Sequence, residues 1–321
     1  MKKKTPLPSF LATAYSLQPV LLVLLMTAPL ALRAQSQTAA TSPLAHFHHV
    51  HLNTTDPPAA IAFYTSKFKA RKESFAGLGD AVWTGDSWLL FTKVDSPPPS
   101  ELLSGIWHIG WGAEDMQSTY RLQLAKGTRF ATPITDISDM VGGNRQFFYA
   151  YVDGPDRVLI ELNTARHHNF GHVHLFSGDP PAAGAWYAKE LGVRSFPQTE
   201  KRLYRNVQIA PAAFVTADHV SMIIYPVEYL QTAAPETWQA RGGTFASTRG
   251  RVVDHLGFSV VDLDATLARL RLDGVKVTAE PRSIADGKIR FAFIEGPDQV
   301  AIELLQDATA RPGPVADPVD D

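Results

Sequence analysis

The sequence predicts an α+β protein made of four strand–helix–strands units, which are arranged as two pairs. Two observations lead to this fold class. A short strand that opens on a histidine is followed by a helix-start signal and more strands, and this pattern occurs four times. The four occurrences fall into two long copies of the same sequence pattern. At 321 residues, the chain is long enough for about two domains.

The internal repeat is visible in three matched segments. His49 opens HVHLNTTDPPAAIAFYTSKF, and His172 opens HVHLFSGDPPAAGAWYAKEL. His108 opens HIGWGAEDM, and its counterpart HLGFSVVDL begins at His255. The segments VDGPDRVLIELN and IEGPDQVAIELLQ end near Glu161 and Glu303. The order His, His, Glu therefore occurs twice along the chain.

The spacing within the two copies differs at one place. The first and second histidines are 59 residues apart in the first copy (49 to 108) and 83 apart in the second (172 to 255). The second histidine and the glutamate are 53 and 48 residues apart. The longer gap predicts an insertion of about 24 residues within Tyr204–Gly250.

The first unit shows how each unit is predicted. A short strand, His49–Asn53, precedes Asp56, a helix N-cap candidate followed by two prolines, so a helix is expected to run to Phe68. Strands follow, among them Ser87–Val94. The other predicted helices are Asp115–Lys126, Pro181–Leu191 and Asp262–Asp273. The other predicted strands are His108–Trp111, Gln146–Val152, Val158–Asn163, Asn206–Ile209, Val220–Tyr225, Val275–Thr278, Ile289–Phe293 and Gln299–Leu304.

The first residues have the layout of a secretory signal. Three lysines at 2–4 precede an apolar stretch that is densest at Val20–Met26, and a small-residue stretch ends at Ala34. We therefore expect residues 1–34 to be removed and the protein to be periplasmic or secreted; the alternative is an uncleaved membrane anchor. Residues 35–45 are expected to be a disordered lead-in and residues 308–321 a flexible tail.

Composition narrows the partners and the chemistry. With 30 basic and 32 acidic residues, the formal net charge is −2, so no nucleic-acid surface is expected. We expect a small-molecule partner, no stable membrane insertion after signal removal, and a monomer or homodimer. The absence of cysteine excludes disulfides, iron–sulfur clusters and a cysteine nucleophile. Any metal must therefore be held by nitrogen and oxygen.

The repeated histidines and glutamate are candidate metal ligands. A glutamate that points into a core is costly to bury unless its charge is balanced, and a metal ion balances it. Two imidazoles and one carboxylate suit Fe, Mn, Zn or Ni and leave open positions for a substrate. The predicted ligands, grouped by copy, are His49, His108 and Glu161, then His172, His255 and Glu303.

Neighbouring residues leave alternatives open. His51 and His174 share a strand face with His49 and His172, and either could be the ligand instead or support the ligand from behind. No general base is identifiable from the sequence. Three tyrosines near the motifs are interpreted as packing residues, with the role of general base as the alternative, namely Tyr64, Tyr151 and Tyr187.

The motifs resemble those of the vicinal oxygen chelate superfamily, which includes glyoxalase I, extradiol dioxygenases and bleomycin-resistance proteins. The resemblance rests on the HVHL opening, the HIGW and HLGF segments and the Gly-Pro-Asp…Ile-Glu-Leu ending, and it covers about residues 46–306. It implies two domains, 46–165 and 166–307, and four βαβββ units paired into two cup-shaped, barrel-like mixed sheets with a metal inside each cup. Whether the cups form within or across the copies stays open.

The resemblance also limits the site and its chemistry. It places the first histidine at His49 and His172, the second at His108 and His255, and the glutamate at Glu161 and Glu303. The segments LLFTKV and SMIIYPV carry no acid where some relatives have a fourth ligand, which implies three protein ligands per site.

The expected function is that of a metal-dependent enzyme acting on a small molecule that chelates the metal through two adjacent oxygens. Lyase, isomerase and dioxygenase chemistry are all compatible with it. Ring cleavage is disfavoured because Gln146 and Phe147 stand where extradiol enzymes have a histidine. Glyoxalase I acts on a glutathione adduct, and an exported protein would meet less glutathione. The alternative is a non-catalytic protein that binds and sequesters a small molecule.

Overall fold

A computed structural model describes residues 44–142, 144–240, 242 and 244–315. It contains two eight-stranded mixed sheets with helices, which confirms the α+β class and the four units. The predicted signal and residues 35–43 of the predicted lead-in lie outside the described residues. Ala45, at the end of that lead-in, is buried, and its N–H donates to the carbonyl of Leu191. No helix in the described ranges has the length and hydropathy needed to span a membrane.

The first copy contributes two units. The first consists of β1 (His46–Thr54), α1 (Pro57–Lys67), β2 (Arg71–Phe75), β3 (Gly79–Thr84) and β4 (Ser87–Lys93). The second consists of β5 (Ile106–Ala113), α2 (Met116–Ala125), β6 (Phe130–Asp136), the short α3 (Ser138–Val141), β7 (Phe148–Asp153) and β8 (Leu159–Thr164).

The second copy repeats this order. Its first unit consists of β9 (Phe170–Ser177), α4 (Pro180–Leu191), β10 (Arg194–Tyr204), β11 (Val207–Ala217) and β12 (Val220–Pro226). Two short helices follow as a connection, α5 (Tyr229–Ala233) and α6 (Pro235–Ala240). The last unit consists of β13 (Val253–Ser259), α7 (Leu263–Leu272), β14 (Val277–Ile284), β15 (Ile289–Glu295) and β16 (Ala301–Asp307).

The helix starts follow from local sequence. The carboxylates of Asp56 and Asp179 accept the backbone N–H of Ala59 and Ala182, and two prolines occupy the first helical positions after each aspartate. The predicted insertion in the second copy is divided between two places. One part lengthens the β10–β11 hairpin, and the other forms α5 and α6.

The two sheets are each built from both copies. One has the strand order β14-β15-β16-β13-β1-β4-β3-β2 and so joins the first unit to the fourth. The other has the order β10-β11-β12-β9-β5-β8-β7-β6 and joins the second unit to the third. Only residues 165–169 connect β8 to β9. Because this connection is short, the third unit must lie beside the second. The cups therefore form across the copies, and neither sheet closes into a barrel.

Alternation along the central strands separates a core face from a polar face. Val50 on β1 and Leu256 on β13 are fully buried and belong to the main hydrophobic cluster, together with Tyr64 of α1 and Leu267 of α7. Because successive side chains of a strand point to opposite faces, the histidines that flank Val50 lie on the other face of the sheet.

The predicted tail is held over part of its length. The carbonyl of Gly313 accepts hydrogen bonds from the indole of Trp83 and the guanidinium of Arg71, each at 2.9 Å. Arg71 also donates to the carbonyl of Pro314 at 2.8 Å. These bonds attach residues 313 and 314 to β2 and β3, and residues 316–321 lie outside the described part of the chain.

Candidate metal centres

The six predicted ligands gather into two clusters, and each cluster takes residues from both copies. All of them are buried except Glu303, which is partly exposed. We call them centre A and centre B. Centre A consists of His108, Glu161, His172 and His174. Centre B consists of His49, His51, His255 and Glu303. The predicted grouping within one copy is therefore wrong for the first histidines: His172 belongs with His108, and His49 belongs with His255.

Strand register explains this exchange. In centre A, Gly110 on β5 pairs with His172 on the antiparallel neighbour β9 and with Glu161 on the parallel neighbour β8. In centre B, Gly257 on β13 pairs in the same way with His49 and Glu303. Residues paired across neighbouring strands share a face, so a histidine and a glutamate meet over each glycine.

Gly110 and Gly257 leave the space that the imidazoles of His172 and His49 occupy. A Cβ atom added to Gly110 would lie 1.9 Å from Nε2 of His172, and one added to Gly257 would lie 2.0 Å from Cε1 of His49. Both positions therefore exclude any side chain while the imidazoles stay where they are. These glycines stand two residues after the second histidine in HIGW and HLGF, and their role depends on cross-strand contacts that the motifs alone do not predict.

The next cross-strand pair places the additional histidines. His108 is opposite His174 in centre A, with ring centroids 4.3 Å apart, and His51 is opposite His255 in centre B at 4.5 Å. His51 and His174 thus join the clusters and do not replace His49 and His172. On the neighbouring parallel strands, Leu90 pairs with His51 and Ile223 pairs with His174. The first and third units therefore have a leucine and an isoleucine at the position where the second and fourth units have a glutamate.

The distances in centre A fit one ion. Nε2 of His108 lies 3.0 Å from Oε2 of Glu161, and Nε2 of His172 lies 3.7 Å from Oε1. One ligand atom of each of the four residues lies within 4.8 Å of all the others. Two ligands at 2.1 Å from one ion are about 3.0 Å apart at right angles and about 3.4 Å apart in a tetrahedron. The distances from Glu161 to His108 and His172 are therefore close to those between two ligands of one ion.

Centre A also has buried nitrogens that need a partner. Both ring nitrogens of His108 and of His174, and Nε2 of His172, are buried without a hydrogen-bond partner. Burial lowers the pKa of His108 and His174 well below the usual range and lowers that of His172 to about 4, although Glu161 opposes the shift at both His172 and His174. The imidazoles are therefore neutral at pH 7, as metal ligands must be.

Centre B has a similar inner geometry. Oε2 of Glu303 lies 2.9 Å from Nε2 of His255 and 3.7 Å from Nε2 of His49, which is buried without a hydrogen-bond partner. The other side of His255 is held by Asp254, whose Oδ1 lies 2.7 Å from Nδ1. A carboxylate behind a ligating histidine fixes the ring orientation.

The histidines of centre B differ in their pKa values. Burial lowers the pKa of His49 well below the usual range and that of His51 to about 3. Burial also opposes protonation of His255, but the hydrogen bonds to Asp254 and Glu303 outweigh it and raise the pKa of His255. His49 has a further neighbour, because its Nδ1 lies 2.9 Å from Nδ1 of the buried His48.

The surroundings of centre A are aromatic. Trp107 and Tyr151 lie beside His108, with ring centroids at 4.5 and 5.1 Å. Tyr229 of α5 covers Trp107 at 4.9 Å, so the insertion contributes to this wall. Tyr151 therefore lies beside centre A. Tyr64 and Tyr187 are instead buried in the main core cluster, which agrees with their interpretation as packing residues.

The lowered histidine pKa values predict a pH-dependent stability of the metal-free protein. Between pH 6.5 and about 4, unfolding lets His172 take up a proton that the folded state excludes, so stability falls as the pH falls. Each such imidazole costs about 1.4 kcal/mol per pH unit. In chelator-treated protein, denaturant titrations at pH 7.0, 5.5 and 4.5 should show a smaller pH effect for His172→Asn than for wild type. A control is His168→Asn, outside both centres; an unchanged pH effect in His172→Asn would contradict the prediction.

Comparisons with known proteins agree with this architecture. The family model described as "Glyoxalase/Bleomycin resistance protein/Dioxygenase superfamily" matches residues 46–162 and 169–304. A protein named "Probable lactoylglutathione lyase" from Vibrio cholerae is 34% identical over 147 residues, which cover 46% of this chain and 96% of that protein. The lactoylglutathione lyase of Haemophilus influenzae is 24% identical over 142 residues, covering 44% and 95%.

Solved structures share the fold. Glyoxalase I from Zea mays has a TM-score of 0.62 at 13% identity, covering 82% of this chain and 93% of that one. A structure described as a putative dioxygenase from Bacillus subtilis has a TM-score of 0.54 at 11% identity, covering 83% and 86%. At these identities the likeness concerns the fold alone.

Proposed function

Because the chain belongs to the Glyoxalase/Bleomycin resistance protein/Dioxygenase superfamily, we propose that it is a metal-dependent enzyme with one divalent ion in each centre. The observation that carries this proposal is the set of buried imidazole nitrogens without partners that face a carboxylate in centre A. Unpartnered polar atoms are costly in a protein interior, and coordination would satisfy them.

The donor set fits a divalent metal. Imidazole and carboxylate ligands suit Fe, Mn, Zn or Ni, and the histidines of centre A are already neutral. In centre A the ion would be held by His108, Glu161 and His172, with His174 as a further donor. In centre B it would be held by His49, His255 and Glu303, with His51 as a further donor. A bound ion would act as a Lewis acid that stabilises negative charge on two adjacent substrate oxygens.

The protein residues have separate roles in this proposal. Glu161 and Glu303 would balance part of the charge of a bound ion. Asn163 donates to Oε1 of Glu161 at 2.9 Å and so holds that carboxylate in place. Trp107 and Tyr151 exclude water from the side of His108. In such a dry environment, electrostatic stabilisation of a developing charge is stronger than in water.

Lyase or isomerase chemistry is preferred over ring cleavage. The curated relatives that match are named lactoylglutathione lyases, and one of them is matched over 96% of its length. The position of the extradiol histidine is occupied by Gln146 and Phe147 in this chain. We therefore propose a small substrate with adjacent oxygens, and the hemithioacetal of methylglyoxal and glutathione is the first one to assay.

The test combines metal content with activity. Protein purified after growth with Fe, Mn, Zn or Ni should carry close to two equivalents of metal by elemental mass spectrometry, and removal by a chelator should abolish turnover. Glu161→Gln and Glu303→Gln should each lose about one equivalent, because an amide binds these metals more weakly than a carboxylate. Glu280→Gln, which changes an exposed carboxylate, is the matched control. Metal-free protein that still binds small molecules would support the sequestering alternative and contradict the proposal.

A further inference from the structure

The two centres differ at the residue before the second histidine. Centre A has Trp107 there, which forms its aromatic wall, whereas centre B has Asp254, which binds His255. The residue ten positions before each glutamate differs as well. It is Tyr151 in centre A and Phe293 in centre B, and each packs edge-on against the second histidine, at 5.1 and 4.9 Å. Equivalent positions of the repeat thus carry different chemistry.

In centre B, Asp254 forms an ion pair with Arg249. Its NH1 nitrogen lies 2.9 Å from Oδ1 of Asp254 and 3.3 Å from Nδ1 of His255. Its guanidinium carbon lies 4.2 Å from the ring centroid of Phe293, in a cation–π contact. The ion pair and the ring hold the guanidinium from two sides, so its position is fixed before any ligand arrives.

The charge of Arg249 is only partly used by the protein. Asp254 also accepts from Nδ1 of His255, the N–H of Gly250 and the amide of Asn53, so its charge is shared among four donors. Within the described part of the chain, Nε and NH2 of Arg249 have no hydrogen-bond partner, and half of the side chain is exposed. A guanidinium has five N–H donors, so several remain available for a ligand.

These donors border a cavity that also contains the candidate metal ligands. The cavity has a volume of about 250 Å³, and its lining includes Arg249, His51, His255 and Glu303. The rest of its wall is largely apolar and includes Leu90, Ile289 and Phe291. The volume limits the ligand to a small molecule. Asp254 and Glu303 also line the cavity, and Arg249 is the one arginine or lysine in the lining. Its N–H groups without a partner favour a ligand with an acidic group.

We propose that Arg249 is a specificity-determining residue of centre B, which binds the carboxylate of a small acid whose two adjacent oxygens chelate the metal. This inference rests on the proposed function, because it needs a metal in centre B. At the corresponding position of centre A, six residues before its second histidine, the chain has Leu102 in place of an arginine. Centre B would therefore accept ligands with an acidic group that centre A does not prefer.

The experiment compares two ligands of equal chain length. 2-Oxoglutarate and 2-oxopentanoate share the same chelating end, but only the first carries a second carboxylate. Binding is measured by calorimetry on Ni-loaded protein in a His108→Ala background, in which centre A should not hold metal. We expect 2-oxoglutarate to bind about 10-fold or more tightly than 2-oxopentanoate. Arg249→Met should remove this preference while changing the affinity for 2-oxopentanoate less than about 3-fold.

Each outcome separates this inference from the proposed function. Arg249→Lys keeps the charge and should retain part of the preference. If the protein binds nickel but shows no preference, or if the preference survives in Arg249→Met, the anion-binding role is wrong and the metal proposal stands. If Arg249→Met instead lowers nickel affinity and leaves the preference intact, Arg249 only positions His255. If neither nickel nor Fe, Mn or Zn binds, both the inference and the proposed function fail.

Discussion

Replacing His108 or His172 by alanine should remove the same one of two bound metal ions, although the two histidines belong to different copies of the repeat. Both residues face Glu161, at 3.0 and 3.7 Å, and neither belongs to centre B. His49→Ala and His255→Ala should likewise remove the other ion. Loss of a ligand is expected to weaken metal binding at that centre by about 100-fold or more. Replacing a residue that only hydrogen-bonds to a ligand typically weakens binding by about 10- to 100-fold, and losing the ligand itself should weaken it more.

Double variants make this result decisive. His108→Ala combined with His172→Ala should still bind about one equivalent, because both changes fall in centre A. His108→Ala combined with His49→Ala should bind almost none, because each centre then lacks a ligand. Ligand sets formed within one copy would give the reverse pattern. Metal content of the purified proteins is the measurement, thermal unfolding confirms that each is folded, and His168→Ala is the control outside both centres.

The sequence could identify the six residues because the repeat points to them twice. A lone glutamate such as Glu161 would have passed for an ordinary strand residue, but its recurrence as Glu303 after the same turn marks it. The same repeat hides the pairing of the copies. His49 and His172 stand in identical HVHL segments, so nothing in either segment says which Glu it will face. The strand order decides that, through the contact of β1 with β13 and of β5 with β9.

Other features of the site depend on tertiary contacts that the local sequence does not encode. Arg249 lies in the connection between α6 and β13, and only the fold shows that it reaches His255 and the Phe293 ring. Asp307 reaches His48, with its Oδ2 3.4 Å from Nε2, across 259 residues of chain. The helices, by contrast, could be placed well because their starts depend on adjacent residues, such as Asp56 and the prolines that follow it.

Gly110→Ala should disable centre A through a single methyl group. The added Cβ would lie 1.9 Å from Nε2 of His172, far inside van der Waals contact, and the neighbouring backbone is fixed by pairing on both sides. The imidazole must therefore turn away from Glu161. We expect one equivalent of metal to be lost and the metal-free protein to be destabilised by about 1 to 3 kcal/mol, the usual cost of overpacking. Metal analysis and denaturant unfolding measure the two effects.

The double variant Gly110→Ala with His172→Ala tests the cause of this loss. If the methyl group acts by colliding with the imidazole, removing the imidazole should restore most of the lost stability, although the metal stays absent. A non-additive free energy of unfolding is the expected signature of two groups in contact. Gly178→Ala is the control, because a Cβ there would meet only Asp298, at an ordinary 3.8 Å. If Gly110→Ala keeps both metal ions, or if the two changes are additive, then His172 does not occupy the position over Gly110 on which centre A depends.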